Sequence, residues 1–100
     1  MKYLLNNETT KDEHYYDGNE IYELKRKLFE YFSKVTPLEK VIYLKKLTGS
    51  DSVEEHEADS IYMDYLLDDE YDEITDLSLD FPYLKVLVSK VEEDGQILLF

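Results

Sequence analysis

One hundred residues suffice for one small domain, because a chain this short buries only somewhat more than about 60% of its unfolded surface and cannot furnish two cores. With 43% hydrophobic and 14% aromatic residues against 35% charged, it has enough apolar material to fold, which excludes a wholly disordered acidic tail. The formal net charge of −13 argues against nucleic acid or anionic membrane as a direct ligand, and the absence of cysteine excludes disulfides and thiolate metal sites.

In chain order, "MKYLLNNETTK" offers one Lys and three consecutive apolar residues, well short of a secretory apolar region of roughly 7 to 15 residues, so a cytoplasmic location is expected. Its "KYLL" could form a strand, and "NNETTKDEHYYDG" reads as the most mobile loop. A basic helical segment follows over 19–48. Ile21, Leu24, Leu28, Tyr31, Phe32 and Val35 recur at helical spacing behind a capping box of Asp17 and Glu20. Thr36 then caps a second helix, with Pro37 first, Glu39 three residues after the cap, lysines near its end and Gly49 beyond. The acidic helical segment 51–80 opens with a possible capping box of Ser52 and Glu55 and continues as one long helix or two broken near Ser60. After Pro82, "YLKVLVSKV" and "QILLF" flank "EEDG" and predict a β-hairpin over 83–100. The expected fold class is α+β: one domain over 1–100, with three to four helices packed on a small sheet formed by the C-terminal hairpin and the N-terminal strand.

Charge is unevenly distributed along these segments. Residues 1–23 carry net −4, residues 24–50 carry net +5, residues 51–80 carry thirteen acids and no base, and the last twenty carry net −1. If 51–80 is helical, Asp64, Asp68, Asp72 and Asp76 recur every fourth residue and stack on one face about 6 Å apart, with Asp69 and Glu73 on its flank. Like charges at that spacing destabilise a helix by roughly 0.2–0.5 kcal/mol per pair, and Asp is a poor helix former, so local stability does not explain the choice. Pairing all of the +5 segment against the −13 segment would still leave −8, whereas a surface shaped only for solubility intersperses both signs. A row of carboxylates imitates the phosphates of a nucleic acid, one charge per about 3.4 Å of strand, and would suit the basic groove of a nucleic-acid-binding protein or nuclease. Tyr62, Tyr65 and Tyr71 interleave with the acids, with Tyr65 and Tyr71 as candidate anchors, although all three fall close to the apolar face and at least two of them are expected in the core.

In size, charge and lack of catalytic apparatus, and through the acidic residues 51–80, the chain resembles the small acidic inhibitors that phages direct against CRISPR nucleases, restriction enzymes and host nucleic-acid-binding proteins. The resemblance implies a non-enzymatic, cytoplasmic nucleic-acid mimic, and no individual residue role is carried over from it. Immunity or antitoxin proteins that neutralise a basic nuclease toxin are the alternative, and a structural adaptor with a solvated acidic face is a further one.

Other chemistries fail on their residues. A calcium loop read from Asp68 has Glu73 where Gly is required and Leu79 where a bidentate Glu is required. His14 and His56 are the two histidines, and no metal or cofactor is expected. Neither a phosphate-binding Gly loop nor a Ser-His-Asp pattern is present, so no enzyme activity is expected. The basic run "ELKRKLFEYFSK" is better suited to internal pairing than to nucleic acid, given the field of the whole chain.

Overall fold

A computed structural model of the chain describes residues 2–68 and 74–91. Among these, three α-helices pack on a four-stranded antiparallel sheet, the α+β class expected from the sequence. The strands are β1 (Lys2–Asn7), β2 (Asp12–Asp17), β3 (Leu79–Phe81) and β4 (Leu84–Val91), in spatial order β2-β1-β4-β3. The helices are α1 (Ile21–Ser33), α2 (Pro37–Thr48) and α3 (Ala58–Leu67).

The polar stretch expected to be a mobile loop is instead a hairpin. β1 and β2 pair without interruption from Lys2 opposite Asp17 to Asn7 opposite Asp12. Asn7 closes the turn: its buried side-chain Oδ1 accepts the N–H groups of Thr9 at 3.0 Å and Thr10 at 3.2 Å, while Lys11 takes the left-handed conformation with φ of 68°. The turn is tied to β4, where Lys85 N–H donates to Thr9 Oγ1 at 3.0 Å. β2 is polar because it is an exposed edge strand, and main-chain pairing does not require apolar side chains.

The helix punctuation in the sequence holds for α1 and α2. Asp17 N–H donates to Glu20 Oε1 at 3.0 Å, and a short 3₁₀ turn leads into α1, which buries Leu24, Leu28 and Phe32 at intervals of four. Pro37 starts α2 after an extended Thr36, and Gly49 ends it in the left-handed conformation with its N–H on Lys45 O at 2.9 Å. A Cβ on Gly49 would meet nothing within 4 Å, so the penalty for a side chain there is conformational alone. Gly49→Ala should cost about 1 kcal/mol, read as a lower urea midpoint with an unchanged slope.

The acidic segment departs from expectation. No cap forms at Ser52; a 3₁₀ turn over Glu55–Glu57 precedes α3, which runs through Ser60 and ends at Leu67. Asp68 leaves the helix with φ −74° and ψ 111°, and Asp76 belongs to a separate 3₁₀ turn, Ile74–Leu77. A run of poor helix formers with like charges at i, i+4, and no base in the last turn, gives α3 no support for continuing. The end of the segment becomes β3, and Pro82 with Tyr83 forms the turn to β4 rather than a boundary before the hairpin. β4 thus makes its described hairpin with β3; the expected partner strand "QILLF", with the turn before it, lies outside the described residues.

One face of the sheet, with Leu5, Leu79, Phe81, Val86 and Val88, meets the buried faces of the helices. An aromatic group joins them: Phe32 stacks on Tyr62 at 4.2 Å between centroids, and Tyr43 lies 5.8 Å from Phe32, 5.9 Å from Tyr62 and 5.5 Å from Phe81. Leu4 and Val91, on alternate positions, are buried outside that cluster. No helix among the described residues is long and apolar enough to cross a membrane.

Candidate partner-binding surface

α3 owes its orientation to three inward residues spaced by four: Ala58, Tyr62 and Leu66. Tyr62 fixes the rotation most firmly, since its buried hydroxyl donates to Leu77 O at 2.9 Å and so also holds the Ile74–Leu77 turn against the helix. The acids between these positions therefore point outward. Every described carboxylate of 51–80 is exposed, including Asp64, Asp68 and Asp76. Asp64 and Asp76 form no ion pair with any described residue. Tyr65 is partly buried against the core, which limits it to an edge contact. Asp69, Tyr71, Asp72 and Glu73 lie outside the described residues.

Because α3 stops at Leu67, Asp64, Asp68 and Asp76 are not a row on one helical face. They mark three successive structures: the helix, its exit and a 3₁₀ turn. Among the described residues these acids form an exposed, irregular border rather than a ruler of evenly spaced charges. Asp64 and Asp68 sit at the C-terminal end of α3, where the helix dipole disfavours negative charge, so their presence costs local stability.

The basic segment covers this border only in part. Lys40, buried on α2, reaches across to Asp59 at 2.9 Å, donates to Ser33 O at 3.2 Å and lies 5.5 Å from the Phe32 ring centroid. It thereby satisfies a carbonyl at the end of α1 and joins all three helices. Lys25 lies over the Tyr22 ring at 5.4 Å, and Lys27 pairs with Glu30 at 3.5 Å. Lys46 and Asp76 line one shallow depression without an ion pair between them. At the other end of the segment, Lys85 meets Asp80 at 3.7 Å. Sequence reasoning missed Lys40 as the internal link, although its position four before the buried Leu44 placed it on the inward stripe.

Comparison with protein-family models, curated proteins and solved structures finds no match for this chain.

Two further features border the acids. Tyr22, Phe29, Met63, Leu66 and Leu67 line an apolar groove between α1 and α3, with Tyr22 and Leu67 exposed and Lys25 and Arg26 at its rim. Glu54, His56 and Glu57 bring ligand-type atoms within 4.8 Å of one another, but all three residues are exposed and solvated, so the cluster carries no metal assignment.

Proposed function

We propose that this protein is a non-enzymatic acidic inhibitor that acts in the cytoplasm and mimics nucleic acid, its 51–80 border occupying the basic groove of a nucleic-acid-binding protein or nuclease of the CRISPR, restriction or host DNA/RNA-binding kind. The observation that carries this reading is the exposure of every described carboxylate in a segment with thirteen acids and no base, with Asp64 and Asp76 in no ion pair with a described residue. Two of these acids stand where a helix is weakened by them, so stability gives no reason for their placement. A field of one sign accelerates encounter with a basic groove, and the apolar residues beside it supply contact area that charge alone lacks. Mimicry on this fold rests on charge density over an irregular border.

The test is a tagged capture from bacterial lysate at about 0.1 M and 1 M salt, between which the Debye length falls from about 10 Å to about 3 Å. Wild type should retain a nucleic-acid-processing protein at the lower salt, release it at the higher, and lose it to competing DNA or RNA. A variant with Asn at 64, 68, 72 and 76 should fold at least as stably as wild type, since like-charge repulsion is relieved, and should capture none of it. A partner retained equally by both proteins would leave the border as the solvated face of an adaptor.

A further inference from the structure

Among the described residues the sheet ends in two edges of different kinds. β3 is three residues long, too short to template much pairing. β2 is a full six-residue strand without Pro, Gly or a bulge, and no described strand lies beyond it. One side of its backbone therefore presents N–H and C=O groups already in strand geometry, which is the arrangement that accepts an added strand. Its side chains decide which strands it accepts. Asp12, Glu13 and Asp17 are exposed, and neither Lys nor Arg occurs in the strand.

That charge acts selectively. Antiparallel pairing of β2 with itself, centred on Tyr15, would set Glu13 of one copy opposite Asp17 of the other at both ends, and like charges directly opposite destabilise a ladder. A second copy of this acidic chain is thus disfavoured, while a basic chain is attracted. The face is defined as well: Leu5 points to the helices and pairs with His14, so Glu13, Tyr15 and Asp17 share the opposite face with Leu4. Tyr15 is 54% exposed there, an aromatic surface between two carboxylates.

We propose that the β2 edge binds an extended basic segment of a partner protein as an added strand, with Lys or Arg side chains opposite Glu13 and Asp17 and against the Tyr15 ring. This goes beyond nucleic-acid mimicry, since it uses main-chain pairing and none of residues 51–80.

The experiment titrates the isotope-labelled full chain with an eight-residue peptide of alternating Lys and Val, its Glu/Val counterpart, and the Lys/Val peptide N-methylated at alternate residues. The Lys/Val peptide should shift and slow exchange of amides in 12–17, and the Glu/Val peptide should not. N-methylation, which keeps the charge and removes ladder donors, should weaken binding about tenfold, as loss of one or two hydrogen bonds implies. Glu13→Lys should weaken the Lys/Val peptide about threefold. Equal binding of the N-methylated peptide, or shifts confined to 51–80, would overturn the proposal. The variant with Asn at 64, 68, 72 and 76 should bind the peptide like wild type, so failure of the mimic reading and failure of the edge proposal are told apart.

Discussion

Replacing Phe32 with alanine should lower the unfolding free energy by about 3–5 kcal/mol, a loss comparable to the whole stability of a weakly stable domain, for which about 5 kcal/mol is common. Phe32 is fully buried at the end of α1, and its ring is the surface on which the other two helices meet: Tyr62 of α3 stacks on it at 4.2 Å, Tyr43 of α2 lies tilted at 5.8 Å, and the Lys40 ammonium sits 5.5 Å from its centroid. Truncation removes the transferred apolar area and leaves a cavity that three elements would have to move to close. Urea unfolding followed by circular dichroism checks this. A loss below about 1 kcal/mol would mean that α1 does not organise the helical layer as described.

The second large effect is on pH dependence and belongs to Tyr62. Burial, with neighbouring Tyr43 adding to it, holds its phenol well above the ordinary value of 10.0. The unfolded chain releases this proton near pH 10, whereas the folded chain retains it, so the folded state binds more protons above that pH. Its contribution to stability is therefore fully present below about pH 10 and is lost as pH rises from there toward the folded value, at up to about 1.4 kcal/mol per pH unit. Tyr62→Phe keeps the stacked ring but leaves the Leu77 carbonyl without its 2.9 Å donor, which should cost about 1–2 kcal/mol at pH 7. The same variant no longer titrates at this position, so its stability should converge with that of wild type above pH 10. Parallel urea midpoints from pH 7 to 11 would contradict a buried, protonated phenol.

These two residues connect the core to the surface proposed for binding. Tyr62 turns inward and anchors the Ile74–Leu77 turn, and by doing so it leaves Asp64 and Asp76 on the outside. Lys40 ties the exposed Asp59 to the helical layer, so this acid of the segment also has a structural role. Core packing and surface charge are thus separable. Asparagine at the exposed positions 64, 68 and 76 alters charge without touching the core, and Phe32→Ala tests the core without altering charge.

Much of the local structure was legible. The Asp17–Glu20 box, Pro37 after Thr36 and the left-handed Gly49 act within a few residues of themselves, so their sequence signals survive whatever the rest of the chain does. The β2 hairpin was not legible, because Asp12–Asp17 is polar for an edge exposed to water and its pairing is carried by main chain and by Asn7. The length of α3 was misjudged for a related reason. A four-residue spacing of aspartates suggests one helical face, but the spacing itself carries no energy that favours the helix.

What the sequence alone determined is the α+β class, the places where α1 and α2 begin and end, and the sign of the field, since composition, capping and net charge need no tertiary contacts to take effect. Only the tertiary structure decided where that field points. Tyr62 had to find Leu77 fifteen residues away, β4 had to lie between β1 and β3, and Lys40 had to reach Asp59 before the roles of the exposed acids could be told apart. Such pairings gain their energy from burial and geometry among residues distant in the chain, which no local pattern encodes.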